Sequence, residues 1–510
     1  MKILLLTMVL LGFPLFAHAV KVQILHTNDL HSYFEGTRTG KGGYARLKKL
    51  ADHLKAEARA QGIKTIFVDG GDFGEGTSYF MSNNGVDAFK MLDALGIDVT
   101  VLGNHDYMQG GKVLAEQIDG AQLRTKIVSA NLKAKRESGL SNKIFDMVRI
   151  EIDGVKIGIF GLSTSEMHYQ YPMVGSGMVL PPTRFVKPME ERAQMNKIDY
   201  LIALTHVGLS KDIAVVKKSQ HIDLVVGGHS HTRLEEPRLA PNKKGRQIPI
   251  VQTGANSMAL GSIIVDIDPT TGKHEMLSYQ LHDIDHSMPE DEVVVELVEQ
   301  AKVDRDYYFG RPFAEVIGES SFELSGSKDG INNPKASCWG GHLAYMTLNS
   351  VRADVGLHIA AFDGEAIPAG PIRFGDMIDN FPRFRQFGDG GWEISTIKIN
   401  GLLLREVLEV IIRKPGQFGI NVAGVEPVRN ASGKVTSLRI NGKKFNPLRM
   451  YELAIPAELP YALEKTVPWL RKFLYRNRVY TGVRYWYQLE SYIRSNSPLN
   501  CEQMTKTAWF

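Results

Sequence analysis

The sequence predicts an α/β protein built from two successive domains. Short apolar runs alternate with amphipathic stretches from about residue 22 to about residue 268, and the same alternation resumes beyond residue 320. Apolar strands separated by helices are typical of a layered α/β fold. The composition, with 43% apolar and 23% charged residues, is that of an ordinary globular protein. It excludes a disordered chain, a collagen-like chain and a polytopic membrane protein.

The first predicted domain contains two clear helices and a series of short strands. Tyr44–Ala60 carries Leu47 and Leu54 on one face at helical spacing. Val86–Leu95 is a second predicted helix, and Gly96 ends it. Strands are predicted at the apolar runs Val22–Leu25, Thr65–Val68, Val99–Leu102, Val155–Phe160, Tyr200–Leu204, Leu224–Val226 and Ile248–Val251.

The second predicted domain follows a charged stretch, Glu290–Tyr308, which has the pattern of a connecting helix. Asn441-Gly442 lies between two strand-like runs, Val435–Ile440 and Lys443–Phe445, and is a strong hairpin signal. The other predicted elements are helices at His342–Val351 and Leu402–Ile412 and strands at Val355–Ala361 and Glu393–Ile399. These elements predict a smaller α/β domain.

The N-terminus has the pattern of a secretory signal peptide. Lys2 precedes a continuous apolar run, Ile3–Phe16, and Ala17-His18-Ala19 is an A-x-A cleavage signature. A buried first strand or an uncleaved anchor is the alternative. No later stretch has ~20 consecutive apolar residues, so we expect no stable membrane insertion. We therefore predict that residues 1–19 are removed near Ala19 and that the mature protein is periplasmic or secreted.

The net charge bears on the kind of partner to expect, whereas the cysteine content does not show whether a disulfide forms. The formal charge is only +4, with 60 Lys and Arg against 56 Asp and Glu. So small an excess gives no reason to expect a nucleic-acid polymer as partner. The two cysteines, Cys338 and Cys501, are too few for a disulfide scaffold. They either pair once or stay apart, and the sequence does not distinguish these alternatives.

Five polar clusters each directly follow a predicted apolar strand. They are Asn28-Asp-Leu-His31, Gly70-Gly-Asp72, Gly103-Asn-His-Asp106, Thr205-His-Val-Gly208 and Gly227-Gly-His-Ser-His-Thr232. Because ligands of α/β sheets gather outside the carboxyl ends of strands, we expect these clusters to meet in one crevice. A single histidine at such a position is more often a turn or capping group, and His26 is expected to have a structural role.

The donors in these clusters suit borderline or hard divalent ions. The predicted ligands are imidazole nitrogens and oxygen atoms, with no thiolate: Asp29, His31, Asp72, Asn104, His206, His229 and His231. That mixture favours Zn, Mn, Fe or Co over a structural sulfur site. Two divalent metal ions that share one bridging carboxylate would use all of these ligands and leave positions open for water and substrate.

The order D-x-H, GGD, GNH, TH, GHSH resembles the calcineurin-like metallophosphoesterase superfamily. Leu25-His-Thr-Asn-Asp-Leu-His31, followed by Gly42-Gly-Tyr-Ala-Arg46, narrows the resemblance to the secreted bacterial 5′-nucleotidase and UDP-sugar hydrolase family. That family also includes cyclic-nucleotide phosphodiesterases and thiosulfohydrolases. The resemblance implies a four-layer α-β-β-α metallophosphoesterase sandwich at residues 20–284. A connecting helix at 285–320 and a substrate domain at 321–510 would follow.

The resemblance also implies how the ligands are shared. One ion would be held by Asp29, His31, Asp72 and His231, and the other by Asp72, Asn104, His206 and His229. A hydroxide bridging the two ions would attack phosphorus in line. His105 would stabilise the developing charge or protonate the leaving group.

One stretch departs from the family pattern near the reacting centre. Close nucleotidases often read GNHEFD, whose last Asp orients the histidine, whereas Met108 stands at that place here. Asp106 and Glu75 are the alternative carboxylates that we predict to orient His105.

The substrate pocket of the second domain also departs from the pattern. An N-G-G-x-R segment usually supplies an arginine, but this chain has Ala361-Phe-Asp-Gly-Glu365 with an acidic residue instead. Phe418 matches one of two aromatic side chains that clamp the base, and Tyr461 is a weaker candidate for the other. Arg373 is predicted to contact the phosphate of the substrate, with solvated surface as its alternative.

Together these features predict an exported, dinuclear metal-dependent phosphoester hydrolase of the 5′-nucleotidase type. Its substrate would be a small-molecule phosphoester, and a nucleotide is the first candidate. We expect the protein to be a monomer. One alternative is hydrolysis of a non-nucleotide ester (a sugar phosphate, cyclic nucleotide or thiosulfate ester) at the same metals. The other is a non-catalytic binding protein that has kept the metal site.

Overall fold

A computed structural model describes residues 19–166, 176–326, 337–383, 391–413, 419–431, 435–459, 473–474, 476–503 and 508–509. The N-terminal region, residues 20–283, contains fifteen strands within the described ranges. They are β1 Val20–Thr27, β2 Lys64–Asp69, β3 Val99–Val101, β4 Lys126–Val128, β5 Leu132–Ala134, β6 Ile144–Phe145, β7 Met147–Ile152, β8 Val155–Ser163, β9 Gly177–Val179, β10 Tyr200–His206, β11 Leu224–Val226, β12 Arg238–Pro241, β13 Gln247–Val251, β14 Ala259–Ile267 and β15 His274–Asp283. The helices of this region are α1 Tyr44–Ala60, α2 Val86–Leu95, α3 Gly111–Ala121, α4 Val186–Met195 and α5 Leu209–Lys218.

Most of these strands form two large sheets. Among the described residues, one sheet has the order β15-β14-β1-β2-β3-β4-β6 and the other has the order β12-β13-β11-β10-β8-β7. Strands β1 to β3 run parallel, as do β8, β10 and β11. Antiparallel pairs flank these parallel strands, since β14 pairs with β1 and β7 pairs with β8. The carboxyl ends of the parallel strands therefore lie at one edge of each sheet.

The two sheets face each other across an apolar layer. Ile24 and Val101 of the first sheet and Ile159 and Leu204 of the second belong to this layer and are fully buried or nearly so. Helices α1 to α3 pack on the outer face of the first sheet, and α4 and α5 pack on the outer face of the second. The order helix, sheet, sheet, helix is the predicted α-β-β-α sandwich.

The C-terminal region begins after a long helix, α6 Glu292–Phe309, whose N-terminus is capped by the Asp291 side chain. Its strands are β16 Val316–Ser320, β17 Val355–Ile359, β18 Gly370–Arg373, β19 Glu393–Asn400, β20 Ile420–Ala423, β21 Val425–Arg429, β22 Val435–Ile440, β23 Lys443–Lys444, β24 Met450–Pro456, β25 Arg478–Arg484 and β26 Ala508–Trp509. Its helices are α7 Cys338–Val351, α8 Phe374–Asn380, α9 Gly401–Arg413 and α10 Tyr485–Asn496. The main sheet has the order β25-β19-β24-β17-β20-β26 among the described strands.

The C-terminal region packs directly against the N-terminal sandwich. Trp339, Phe374 and Tyr485 belong to the same buried apolar cluster as Phe73 and Phe80 of the sandwich. A disulfide joins Cys338 to Cys501, so the structure decides between the two alternatives that the sequence left open. No helix in the described ranges is long and apolar enough to cross a membrane. Most of the predicted signal peptide, residues 1–18, lies outside the described residues.

His26 is a buried histidine in β1, and it leads to a prediction about stability and pH. Its ring stacks on that of Tyr279 at 6.1 Å, and neither ring nitrogen has a hydrogen-bond partner among the described residues. Burial lowers the pKa of His26 from 6.5 to about 3. Below its ordinary pKa the unfolded chain therefore binds a proton that the folded chain does not, and stability falls as pH falls.

We expect this difference to remove about 1.4 kcal/mol of stability between about pH 7.5 and about pH 5.5. The measurement is urea unfolding of wild type and His26→Leu across that range. The variant should lose less stability on acidification than wild type, whatever its absolute stability. The exposed His53 provides the matched variant, His53→Leu, which should keep the wild-type slope. Equal slopes for wild type and His26→Leu would contradict the prediction.

Candidate metal centre

The five polar clusters converge because each follows the carboxyl end of a strand near the middle of its sheet. Asp29 and His31 follow β1, Asp72 follows β2, and Asn104 follows β3. His206 ends β10 in the facing sheet, and His229 and His231 follow β11. The loops after β1, β2 and β3 thus meet the loops of the second sheet at the same edge of the sandwich.

Six of the seven predicted ligands form two compact groups in the described part of the chain. Asp29, His31 and His231 form one group, and Asp72, His206 and His229 form the other. Within each group the donor atoms lie within 4.8 Å of one another. Three donors at such separations can surround a single ion.

Asp72 lies between the two groups. Its Oδ2 atom is 2.9 Å from Nε2 of His206 and 4.0 Å from Nε2 of His31. Its Oδ1 atom accepts a hydrogen bond from the backbone N–H of His105 at 2.8 Å. Asp72 is therefore within reach of a histidine from each group, as a bridging ligand must be. Oδ1 of Asp29 is also 3.9 Å from Nε2 of His31 and 4.0 Å from Nε2 of His206, but of these two carboxylates only Asp72 comes within 3 Å of a histidine of the second group.

The orientation of the histidines suits metal binding. Nδ1 of His31 lies 2.6 Å from the carbonyl oxygen of Glu75, and Nδ1 of His206 lies 2.7 Å from that of Gly70. A carbonyl only accepts, so each Nδ1 carries the proton and each Nε2 is left as the donor to an ion.

Two buried atoms in this crevice lack a satisfied hydrogen bond among the described residues. Oδ1 of Asn104 has no partner, and Nε2 of His206, when its proton is on Nδ1, faces Oδ2 of Asp72 at 2.9 Å as one acceptor facing another. Buried polar atoms are nearly always satisfied, so each exception needs an explanation, and a bound ion would provide one. Gly103, beside Asn104, completes the fit: a Cβ atom there would lie 2.0 Å from Oδ1 of Asp72.

The backbone of the ligand loops is unusual. Asp29, His31, Asp72, His229 and His231 all have φ between 49° and 77°. Residues other than glycine rarely adopt this left-handed conformation, and when they do they are concentrated at functional sites. The surrounding hydrogen bonds hold these turns. For example, the N–H of Asp29 donates to Gly71 and that of His31 donates to Asp72.

The electrostatics of the crevice favour the metal-binding state of most ligands. Burial opposes ionisation of Asp72, but His206 and His105 hold the pKa of its carboxyl well below the ordinary value. Burial lowers the pKa of His31 and of His229 to about 3, so both imidazoles are neutral. Ionised carboxylate and neutral imidazole are the forms that coordinate a metal.

His206 differs, because the charges around it outweigh its burial. Burial lowers its pKa, but Asp72 and Asp29 raise the pKa of this imidazole to about 10. A positive charge is therefore favoured at this point of the crevice. An ion bound there would supply that charge and displace the proton from His206.

His105 lies beside the two groups and is paired with a carboxylate. Its Nδ1 is 2.7 Å from Oε2 of Glu75, whose residue is only 1% exposed. Its ring lies 5.0 Å from that of His31. Burial opposes protonation of His105, but Asp72 and Glu75 together raise its pKa above the ordinary value. The arrangement gives a histidine that can hold a proton at Nε2 while Glu75 fixes Nδ1.

Residues 22–233 match the calcineurin-like phosphoesterase family. The chain is 26% identical to a 5′-nucleotidase of Vibrio cholerae over 86% of this chain and 84% of that protein. It is 25% identical to a snake venom 5′-nucleotidase of Naja atra over 88% of each. Residues 22–233 form a calcineurin-like phosphoesterase domain. This domain, together with 5′-nucleotidase homologues that match most of the chain, indicates that the protein is a metal-dependent phosphoester hydrolase.

Solved structures share the fold of the whole chain. A 5′-nucleotidase precursor of Thermus thermophilus has a TM-score of 0.78 at 22% identity and covers 94% of this chain and 97% of that one. The sulfate thiohydrolase SoxB of Thermus thermophilus has a TM-score of 0.69 at 16% identity and covers 94% of each chain. At these identities the likeness shows the fold, with a phosphoesterase domain followed by a second α/β unit.

Asp106 has contacts other than the predicted one with His105. Its carboxylate accepts backbone hydrogen bonds from Asp72 at 3.0 Å, Gly74 at 2.9 Å and Gly103 at 2.7 Å. Burial and the charge of Asp72 raise the pKa of Asp106 to about 7. The side chain therefore ties together the loops after β2 and β3 of the phosphoesterase domain, while Glu75 pairs with His105.

The predicted substrate residues are less well defined than the ligands. Arg373 is exposed at the start of α8, where its backbone N–H donates to Asp376 at 2.8 Å. Phe418 and Tyr461 lie outside the described residues. Glu365, at the place of the expected arginine, forms an ion pair with Arg38 of the phosphoesterase domain at 3.6 Å.

The sequence interpretation gave no role to Asn28, which supports the first group. Its Nδ2 donates to Oδ2 of Asp29 and to the carbonyl of Gly254, both at 2.7 Å. Its Oδ1 accepts from the backbone N–H of Thr253 at 2.7 Å. Asn28 thus holds Asp29 against the loop after β13. Its position directly before Asp29 in the motif is the sequence feature that could have indicated this role.

Proposed function

We propose that this protein is an exported 5′-nucleotidase-like phosphatase that uses two divalent metal ions. The observation that carries the proposal is the position of Asp72 between two groups of donors, with the His105–Glu75 pair beside them. One ion would be held by Asp29, His31, Asp72 and His231, and the other by Asp72, Asn104, His206 and His229. We propose Mn, Zn, Co or Fe, because the donors are nitrogen and oxygen without thiolate.

When bound, the ions would supply Lewis-acid activation of water and neutralise charge on the phosphoryl oxygens. The residues of the chain do the rest. Asn28 and the carbonyls of Gly70 and Glu75 orient the ligands. His105 would offer a proton from Nε2 to the reacting group, and Glu75, which accepts a hydrogen bond from Nδ1, stabilises the imidazolium that carries both protons. Asp106 fixes the loops that carry Asp72 and Asn104.

The substrate that we propose is a small phosphoester. Nucleotides are the first candidates, because relatives that match most of the chain are 5′-nucleotidases. A second candidate has a specific observation in its favour. Glu365 stands where a substrate arginine is expected and is paired with Arg38, so this pocket presents a different charge from that of the resembled family. A non-nucleotide ester, such as a sugar phosphate or a thiosulfate ester, would suit such a change.

Export and domain organisation complete the proposal. The disulfide between Cys338 and Cys501 supports an oxidising compartment, in agreement with the signal-like N-terminus. We propose cleavage near Ala19, a phosphoesterase domain at 20–284, a connecting helix at 285–320 and a substrate domain at 321–510. The mature protein would act as a monomer in the periplasm or outside the cell.

The proposed function predicts metal-dependent release of phosphate. Protein stripped with chelator and reloaded with Mn or Co should hydrolyse AMP, UDP-glucose, cyclic nucleotides or sugar phosphates, and the stripped protein should not. The measurement is inorganic phosphate for AMP and the sugar phosphates, the nucleoside monophosphate product for UDP-glucose and the cyclic nucleotides, and sulfate for thiosulfate esters. Activity confined to a non-nucleotide ester would replace the nucleotidase assignment by the second candidate. No hydrolysis with any metal would overturn the enzymatic proposal.

A further inference from the structure

Helix α8 of the C-terminal region contacts the loop that carries Glu75. Oδ1 of Asp379, near the end of this helix, accepts a hydrogen bond from the backbone N–H of Ser78 at 2.7 Å. Asp379 is partly buried, and Ser78 is fully buried. The two residues are 301 positions apart in the chain, so the contact joins the two regions of the molecule rather than neighbouring segments.

Ser78 is three residues after Glu75, and the loop between them is held on its other side by the metal-binding loop after β1. Oγ1 of Thr77 donates to the carbonyl of Ser32 at 2.6 Å, and Oγ of Ser32 donates to the carbonyl of Gly74 at 2.6 Å. Gly76 lies so close to His31 that a Cβ atom would be 2.5 Å from the His31 carbonyl oxygen. Because close-packed segments transmit strain, we expect a shift of Ser78 to displace Glu75.

An ion pair between Arg38 and Asp376 adds a further contact between the two regions. Nη1 of Arg38, in the loop between β1 and α1, donates to Oδ1 of Asp376 at 2.5 Å. Its backbone N–H donates to the carboxylate of Glu365. Glu365 is in turn fixed to α8, because its backbone N–H donates to the carbonyl of Asp379 at 3.1 Å. Asp376, Asp379 and Glu365 therefore meet the sandwich as one acidic surface.

From these contacts we infer that Asp379 is a positioning residue: by docking α8 onto Ser78, it holds Glu75 against His105. The inference rests on the proposed function, because it gives the C-terminal region a part in the chemistry that we assign to His105. A carboxylate that accepts a backbone N–H makes a directional, charge-assisted hydrogen bond, which is stronger than a bond to a neutral acceptor. The C-terminal region would then complete the reacting centre as well as bind substrate.

The test compares Asp379→Ala, Asp379→Asn and Ser78→Pro, using phenyl phosphate as probe and inorganic phosphate as readout. Asp379→Ala should lower kcat about 10- to 100-fold with KM and bound metal unchanged. Asp379→Asn keeps an acceptor oxygen and should recover part of the loss. Ser78→Pro removes the backbone donor together with the Ser78 hydroxyl. Ser78 is the first residue of a 3₁₀-helix, Ser78–Gly85, and proline is tolerated there because Thr77 before it is already extended, with φ −128° and ψ 171°.

Two further readouts separate positioning from general damage. In a Glu75→Gln background, Asp379→Ala should add little to the loss, because both changes act on the same contact. Amide exchange of residues 74–80, followed by mass spectrometry, should accelerate in Asp379→Ala. Asp268→Ala is the matched control, since Asp268 also accepts backbone N–H groups but lies at the turn between β14 and β15.

An unchanged kcat in Asp379→Ala, an additive loss in the Glu75→Gln background, or a loss that follows bound metal would each overturn the inference. A wild-type protein that releases no phosphate from any ester under any metal would overturn the proposed function, and the inference with it. An active wild type with an equally active Asp379→Ala would overturn the inference alone.

Discussion

Asp72→Asn should remove at least one equivalent of bound divalent metal and lower kcat by about 10³-fold or more. Oδ2 of Asp72 lies 2.9 Å from Nε2 of His206 and 4.0 Å from Nε2 of His31, so this carboxylate reaches one histidine of each donor group. An amide at this place keeps the shape of the side chain but loses its charge and its ability to bridge. Loss of several kcal/mol of charge stabilisation corresponds to a rate effect of this size.

The measurement pairs metal analysis of the reloaded protein with kcat on the best substrate of the panel. Asp153→Asn is a suitable control, because Asp153 lies in the turn between β7 and β8 and pairs with Lys64 at 2.5 Å. The control should retain both metal ions and its activity. An Asp72→Asn protein with two equivalents of metal and wild-type kcat would contradict the bridging role.

The sandwich and the position of its proposed metal ligands could be predicted from sequence because the signals are local. The helix Tyr44–Ala60 and the strand Leu224–Val226 have the predicted bounds, and predicted Val22–Leu25 is extended to Val20–Thr27. Each polar cluster directly follows such a strand. Because parallel strands end at a common edge, the strand order brings Asp29 and Asp72 together in the first sheet, and the packing of the second sheet against it adds His206.

The contacts of side chains across loops could not be predicted in this way. Asp106 is the neighbour of His105 in sequence, yet its carboxylate binds the backbone of Asp72, Gly74 and Gly103 instead. Which carboxylate meets His105 depends on the direction of each side chain, and periodicity says nothing about that. Likewise, the pairing of Arg38 with Asp376 spans 338 positions and depends on how the C-terminal region docks on the sandwich.

The hydrogen bond between Glu75 and His105 leads to the second large prediction. His105→Ala should lower kcat about 10²- to 10⁴-fold, as expected for loss of a positioned proton donor or charge stabiliser. Glu75→Gln should lose about 10- to 100-fold, because the amide keeps the size of the side chain but no longer stabilises a positive imidazole. Bound metal should stay at the wild-type level in both variants, which separates this pair from the ligands.

The dependence on the leaving group distinguishes the two roles of His105. If its Nε2 proton goes to the leaving oxygen, the loss in His105→Ala should be large for phenyl phosphate and small for 4-nitrophenyl phosphate. The latter leaving group needs little protonation. If the imidazolium stabilises charge on the phosphoryl oxygens, both substrates should lose activity equally. Glu75→Gln should follow the same pattern with a smaller amplitude.

Asp106→Asn should be compared with Glu75→Gln, because Asp106 is the other carboxylate that the sequence predicted to orient His105. Its three backbone contacts hold the loops of Asp72 and Asn104, so this change should lower the melting temperature and the bound metal together. Glu75→Gln should instead lower kcat at full metal content. A Glu75→Gln protein with wild-type kcat, beside an inactive His105→Ala, would show that the 2.7 Å contact orients the histidine without contributing to catalysis.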